Sequence, residues 1–379
     1  MKIATQQAGA EHLRPARAGI PVVRRVAVLG AGVMGAQIAA HFANAGIASL
    51  LFDLAADGSD KSSTARNAIK ALEKQHPEPL ARKAFGSRIA PCNYDEDLDR
   101  LGECDLVIEA IAEKLEWKHD LYARIAPHLD DGVVLATNTS GIPIGRLAQG
   151  IPEALRERFL GVHFFNPPRY MQLVELIPQA ATRPEVLDSM ESFLTTALGK
   201  GVVRAKDTTN FIANRLGLFS MMVTLHHAER LGLNFETVDE LTGKNVGRPK
   251  SATLRTADIV GLDTMRHVLQ GVIDNLPDDP WANIFKVPEW LDRLIEKGTL
   301  GQKTKAGVYR KEGSEIRVYD PATGDYRKRR VKIPGKVEKV LKDTGNPDRL
   351  ALLRNIDDPH AEFVWAIHRD AFHYAAHLL

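Results

Sequence analysis

The sequence holds only two cysteines, Cys92 and Cys104, in 379 residues. They form neither a metal-ligand cluster nor a C-x-x-C redox pair, so no disulfide framework and no metal site is expected. Such usage suits a reducing compartment, and the chain reads as cytoplasmic. A bias of charge is also lacking: 50 Lys and Arg stand against 48 Asp and Glu, a net charge of +2. Nucleic acid calls for a basic field, and this balance supplies none. Any anion must instead be met by a local cluster. No apolar run reaches the roughly 20 residues that a membrane-spanning helix requires. Residues 1–24 carry Arg14, Arg17 and Arg24 but no apolar centre, which excludes a secretory signal pattern, and Glu11 interrupts a transit-peptide one. They read as a tail leading into the first strand. The length predicts two or three domains with a sizeable core.

What is present begins at Val26. A short apolar run, Val26 to Leu29, precedes Gly30-Ala31-Gly32-Val33-Met34-Gly35, a G-x-G-x-x-G pattern. A helical stretch follows and stops at Gly46, and a second apolar run ends at Asp53. The order strand, glycines, helix, strand, acid is the dinucleotide-binding fingerprint. Gly30 serves the turn, Gly32 lets a pyrophosphate approach the backbone, and Gly35 lets the helix pack close to the sheet. The unpaired N–H groups at the helix start, around Val33 and Met34, would meet the pyrophosphate. Asp53 would accept hydrogen bonds from ribose hydroxyls and would repel a 2′-phosphate. No Arg follows in Leu54-Ala55-Ala56, so NAD is expected rather than NADP.

The pattern then alternates. A helical stretch over 65–85 is interrupted by His76-Pro77-Glu78-Pro79, and strand signals return only at Cys104 to Ile108. A helix is expected over about 114–129, and a strand from Val133 to Ala136. The polar loop Thr137-Asn138-Thr139-Ser140-Gly141 lies at the carboxyl end of that strand. Ligands bind at that edge in open α/β sheets, which makes Asn138 a candidate contact. Strands are read at Phe159 to Phe164, Gln172 to Ile177 and Gly201 to Ala205, with a helix over 184–198. At Thr209 the character changes to helix: 209–231, 235–242, 251–275 and 288–297. A glycine- and lysine-rich loop, Gly298 to Tyr309, precedes a hairpin of Glu315 to Asp320 with Tyr326 to Ile333, and the rest is charged and helical. The fold class is therefore an α/β Rossmann-type NAD-binding domain followed by a mainly α-helical domain. The expected divisions are a tail at 1–24, the NAD-binding domain at 25–208, a helical substrate or dimerisation domain at 209–310, and a hairpin with the start of a second, truncated helical lobe at 311–379.

The stretch GVHFFNPPRYMQLVELI carries the chemistry. If its two strands pair as a hairpin centred near Arg169, positions summing to 338 face one another. His163 then lies opposite Glu175 on one face of the sheet. A Glu so placed holds an imidazole in one tautomer and stabilises its protonated form. An imidazole beside a nicotinamide suits removal of a proton from an alcohol as hydride leaves the carbinol carbon.

Taken with LGAGVMG and Asp53, the segments EAIAE, NTS, HFFNP with LVELI, KDTTNFIANR and GQKTKAG make residues 24–310 resemble the 3-hydroxyacyl-CoA dehydrogenases. The resemblance implies NAD-dependent oxidation of (S)-3-hydroxyacyl-CoA to 3-oxoacyl-CoA in fatty-acid β-oxidation. It implies that His163 is the base and Glu175 its partner. It implies that Ser140 hydrogen-bonds the substrate's 3-oxygen and that Asn214 contacts substrate near the nicotinamide. It also implies that Glu113, Lys118, Asn166 and Lys303 touch NAD. Alternatives are a dehydrogenase of a small free hydroxy acid and a non-catalytic dinucleotide-binding protein.

The chain departs from the family where stand-alone members carry G-x-P-x-G-P. Here the stretch is Gly247-Arg248-Pro249-Lys250-Ser251-Ala252-Thr253. Arg248 and Lys250 are expected to meet the phosphates of acyl-CoA. The same departure resembles the dehydrogenase portion of multifunctional fatty-acid oxidation proteins. The partners implied are thus the acyl-CoA substrate, a fused or associated enoyl-CoA hydratase part, and a second copy in a homodimer.

Overall fold

A computed structural model describes residues 22–378. The expectation for the N-terminal tail falls almost wholly outside the described residues. The chain divides between Phe211 and Ile212 into two compact units.

The first unit is built on one sheet of eight strands: β1 (Arg25–Leu29), β2 (Ala48–Asp53), β3 (Ile89–Asn93), β4 (Leu106–Glu109), β5 (Val134–Thr137), β6 (Phe159–Phe164), β7 (Leu173–Pro178) and β8 (Gly201–Arg204). Their spatial order is β3-β2-β1-β4-β5-β6-β7-β8. Every neighbouring pair is parallel except β6 and β7, which run antiparallel. Six helices accompany them: α1 (Val33–Asn44), α2 (Ser63–Leu72), α3 (Leu115–Ile125), α4 (Ile144–Ala148), α5 (Glu153–Arg156) and α6 (Pro184–Thr196). Central strands buried on both faces require near-continuous apolar sequence, and Val26 to Leu29 and Leu106 to Ile108 are fully buried. The strand order reverses at β1/β4, which opens a crevice at the carboxyl ends of the strands.

Strand β3 was not legible. Its sequence, IAPCN, has a proline in its centre and no alternation. It survives because it is an edge strand, where the missing N–H of Pro91 faces no neighbour. The expected helix over 65–85 ends at Leu72, and the later residues form a short 3-10 segment, Lys83–Arg88.

The second unit is mainly helical: α7 (Ala213–Arg230), α8 (Phe235–Leu241), α9 (Leu254–Val260), α10 (Leu262–Asn275) and α11 (Glu289–Glu296) come first. A three-stranded antiparallel sheet follows, with β9 (Tyr309–Glu312), β10 (Glu315–Asp320) and β11 (Asp325–Lys328), and then α12 (Gly335–Lys342), α13 (Arg349–Leu352) and α14 (Pro359–Leu378). The helical stretch expected over 251–275 is two helices. Gly261, at φ +102°, breaks it in a conformation that disfavours any residue with a Cβ. The expected hairpin gains a third strand because β9 starts where the glycine-rich loop ends.

Residues 312–378 share one core with α7–α11. Phe219 of α7 stacks on Tyr374 of α14 at 3.9 Å between ring centres. Beside that stack Arg215 reaches Asp279 and Tyr374, at 2.5 and 2.7 Å, and Tyr374 donates to the same Asp279 oxygen.

One buried group makes the first unit sensitive to acid. His41 lies on α1 at 9% exposure, and burial, aided by the positive Lys200 and Arg169, pushes its pKa down to about 4. The unfolded chain, with a pKa near 6.5, binds more protons between those values. The stability carried by neutral His41 is therefore complete above pH 6.5 and is lost as pH falls toward 4, on the order of 3 kcal/mol. Replacing His41 with Leu should remove this component. Urea midpoints measured at pH 7 and 4.5 should fall less in the variant than in the unaltered protein, and an identical fall in both would contradict the assignment.

Candidate functional site

The turn after β1 shows why glycines are needed there. Gly30 has φ +106°, and a Cβ on it would lie 2.7 Å from the carbonyl oxygen of Ala110. A Cβ on Gly35 would lie 1.8 Å from the carbonyl oxygen of Gly30, so α1 can approach the turn this closely only without a side chain. Gly32 has nothing within 4 Å of its Cβ position, so no packing contact of the protein requires a glycine there. Val33 and Met34 open α1 directly after Gly32, and the N–H groups of a first helical turn have no partner within the helix. A cavity of about 500 Å³ adjoins Gly30 and Gly32 of the turn, and Asp53, Leu54, Tyr94 and Ile111 also line it. Largely apolar walls with a few polar groups, Asp53, Asp120 and Arg124, fit the adenosine half of a dinucleotide. The Asp53 carboxylate is held by the N–H groups of Ala31 and Leu54, at 2.6 and 2.7 Å. It retains lone pairs for further donors.

On the other side of the switch point, β6 and β7 pair with the expected register. Leu160 faces Pro178, and His163 faces Glu175. His163 Nδ1 lies 2.8 Å from Glu175 Oε2, and its Nε2 lies 3.1 Å from Ser140 Oγ. His163 is 3% exposed and Glu175 is fully buried. The rings of Phe165 and Phe211 flank the imidazole at 4.5 and 5.7 Å. The carboxylate accepts from Nδ1–H, which leaves the Nε2 lone pair toward Ser140. The arrangement can take a proton at Nε2 and compensate the resulting positive charge at Nδ1. The loop between the two strands is tied from beneath by Lys200, whose Nζ donates to the carbonyls of Pro168 and Met171. Asn166 stands exposed on that loop.

Ser140 is placed by the loop after β5. Asn138 accepts the N–H of Phe164 at 2.9 Å, which links this loop to the strand of His163. Glu113 accepts from the Thr139 hydroxyl, from the N–H of Ser140 at 2.9 Å and from the N–H of Gly141 at 3.0 Å. Burial alone would raise the Glu113 carboxyl. Lys118 and these hydrogen bonds outweigh it and hold the group below the usual carboxylate range. Lys118 is 1% exposed, and its ammonium lies 2.6 Å from Glu109 and 3.3 Å from Glu113. Glu113 and Lys118, expected at NAD, thus hold the loop of Ser140 in this structure. Sequence reasoning passed over Glu109 and Thr139. The signal was there in the doubled acid of EAIAE, whose first Glu sits at the end of an apolar strand.

The remaining candidates belong to the second unit. Asn214 lies in the first turn of α7, half-buried. Arg248 was expected at the substrate's phosphates. Its guanidinium donates to Ser220 at 2.8 Å and reaches Thr224 and Thr253 at 3.4 Å. Lys250 is exposed. Lys303 lies 2.5 and 2.6 Å from the two oxygens of Asp263. Among the described residues no group of three or more His, Cys, Asp or Glu could hold a metal ion, and no helix is long and apolar enough to cross a membrane.

The two glycines of the turn should separate folding from cofactor binding. Gly35→Ala must displace backbone, and overpacking of this kind costs about 1–3 kcal/mol, so its melting temperature should drop. Gly32→Ala meets no protein atom and should melt like the unaltered protein, yet bind NAD more weakly in a fluorescence titration. Normal NAD affinity in Gly32→Ala would show that the cofactor does not approach this glycine.

Residues 25–208 match the family described as 3-hydroxyacyl-CoA dehydrogenase, NAD binding domain, and residues 211–311 match 3-hydroxyacyl-CoA dehydrogenase, C-terminal domain. A probable 3-hydroxyacyl-CoA dehydrogenase of Bacillus subtilis is 40% identical over 373 residues, covering 94% of this chain and 47% of that protein. A putative fatty acid oxidation complex trifunctional enzyme of Rickettsia prowazekii is 39% identical over 290 residues, covering 76% of this chain and 40% of the relative. The chain thus spans less than half the length of these two curated relatives. Among solved structures, that of FadB2 from M. tuberculosis superposes with a TM-score of 0.65 at 31% identity, covering 77% of this chain and all of the other. Two profiles of one family, matched in order from residue 25 to residue 311, make the conclusion plain: the chain belongs to the 3-hydroxyacyl-CoA dehydrogenase family, and its cofactor is NAD.

Proposed function

We propose that the chain oxidises (S)-3-hydroxyacyl-CoA to 3-oxoacyl-CoA, a step of fatty-acid β-oxidation, with His163 as base and Glu175 as its partner. The observation that carries this reading is the imidazole held between a buried carboxylate on one nitrogen and a serine hydroxyl on the other. NAD, when bound, supplies the hydride acceptor. The protein's residues handle the proton. With Nδ1–H committed to Glu175, Nε2 is the acceptor for the substrate's 3-hydroxyl proton, and the Ser140 hydroxyl turns to donate to the same oxygen. The imidazolium that forms is stabilised by the Glu175 charge in a site walled by Phe165 and Phe211, where little water screens the pair. Asn214 is proposed to contact substrate, and Asn166 and Lys303 to meet NAD, as the resemblance to the family implies. The CoA part, remote from the reacting carbon, contributes binding energy that orients the 3-carbon. A fused or associated enoyl-CoA hydratase part is the proposed source of the 3-hydroxyacyl-CoA.

The test is the rise of NADH absorbance on mixing with NAD and 3-hydroxybutyryl-CoA. Turnover of the thioester and none of free 3-hydroxybutyrate is expected, and the reverse preference would refute the substrate class. His163→Gln should lower kcat by roughly 10²–10⁴-fold with NAD affinity close to normal. Glu175→Gln should act chiefly on kcat too, and the double variant should be little worse than His163→Gln alone, because both residues serve one proton transfer. Near-normal turnover by folded His163→Gln would place the base elsewhere.

Cofactor choice has its own check. The unaltered protein should strongly prefer NAD to NADP, and Asp53→Ala should narrow the gap in kcat/KM. Equal use of both cofactors before any substitution would remove Asp53 from the ribose.

A further inference from the structure

Glu109 ends β4 inside the first unit with no exposure to solvent, and nothing in the reaction above uses it. Its two oxygens meet four donors. Oε1 accepts from the N–H of Ile111 at 2.7 Å and from Lys118 Nζ at 2.6 Å. Oε2 accepts from the Tyr122 hydroxyl at 3.0 Å and the Thr137 hydroxyl at 2.7 Å. A buried ion pair of this kind is at best about neutral for stability when compared with apolar residues of the same volume. Stability alone is therefore a poor account of it.

The geometry gives a better one. Two routes run from this carboxylate to one loop. By the first, Glu109 fixes Lys118, Lys118 faces Glu113, and Glu113 gathers the hydroxyl of Thr139 and the N–H groups of Ser140 and Gly141. By the second, Glu109 orients the Thr137 hydroxyl, which accepts the N–H of Thr139 at 3.2 Å. The backbone adds a third tie, from the N–H of Asn138 to the carbonyl of Glu109 at 2.7 Å. All three end on Thr137–Gly141, the segment that presents the Ser140 hydroxyl to His163.

We propose that Glu109 is a positioning residue for Ser140, acting through Lys118, Glu113 and Thr137. The proposal rests on the roles of Ser140 and His163 argued above. Glu109 divides the Lys118 charge between two carboxylates. Without its own charge, Lys118 has Glu113 as its sole anionic partner and draws it away from the loop amides. Thr137 loses its acceptor, and Ser140 is no longer held at hydrogen-bond distance from the imidazole. A displacement of about 1 Å at a reacting group can cost on the order of 10²-fold in rate.

The experiment is Glu109→Gln in the full chain. Expected are a fall in kcat of roughly 10- to 100-fold, little change in KM for NAD, and faster amide hydrogen exchange at Ser140 and Gly141. Because the single variant leaves a buried ammonium with one carboxylate in place of two, Glu109→Gln/Lys118→Met is made beside it and decides the matter if the single one does not fold. Removing both charges should restore stability while kcat stays low and exchange at Ser140 and Gly141 stays fast, because Glu113 then lacks the Lys118 contact beneath the loop and Thr137 still lacks the Glu109 carboxylate. KM for NAD in the double variant reports separately any contact that Lys118 makes with the cofactor. Recovery of kcat together with stability would reduce the pair to a structural one and overturn the proposal. So would unchanged kcat and exchange in folded Glu109→Gln. The exchange readout needs no turnover, so a protein inactive on acyl-CoA would sink the functional reading and still leave the positioning claim measurable.

Discussion

The candidate site depends on one register. In an antiparallel pair, side chains alternate between faces, and a slip of one residue sends every side chain of a strand to the opposite side. His163 and Glu175 meet because β6 and β7 pair with Leu160 against Pro178 and hold that pairing to Phe164 against Val174. Several features fix it. Val162, Phe164, Val174 and Leu176 pack into the core of the first unit, and all would turn away from it in a slipped pairing. The loop between the strands is clamped by Lys200 below and by Arg169, which donates to the carbonyl of Glu78 at 2.7 Å. Packing and polar ties thus agree on one alignment, and the dyad follows from it.

A second constraint is closeness of approach. The turn from β1 to α1 works because three positions lack side chains for three different reasons. Gly30 needs its backbone conformation and its clearance from Ala110, Gly35 needs contact with the Gly30 carbonyl, and Gly32 needs only open space. Two of these serve the protein's own packing, and the third leaves open space beside the turn. The separation matters when a glycine motif is read as function, since most of this one is packing geometry.

The two halves of the site meet at the carboxyl ends of β4, β5 and β6. Those ends carry Glu109, Asn138 and His163. Because neighbouring parallel strands end side by side, a polar residue closing one strand can hold the loop that leaves the next. Glu113 and Lys118 show the outcome. Each is charged, yet their partners in the first unit are backbone amides, a hydroxyl, Glu109 and each other. A residue type that suggests a cofactor contact in sequence here also builds the floor under Ser140.

The sequence by itself determined a good deal. Strict local patterns, an apolar run closed by G-x-G-x-x-G and two runs symmetrical about Arg169, fixed the turn, the acid at the end of β2 and the pairing of His163 with Glu175. Such features were legible because spacing along the chain sets their geometry directly. The change to helix near residue 209 was legible for the same reason. Only the tertiary structure decided the rest. It made β3 a strand, since an edge position tolerates Pro91. It turned Arg248 toward Ser220, Thr224 and Thr253, since a loop residue points where packing leaves room. It buried Glu109 with Lys118, nine residues along the chain, and placed both under a loop that starts beyond the next strand. These contacts join groups from separate elements, and no local period in the chain encodes the distance between them.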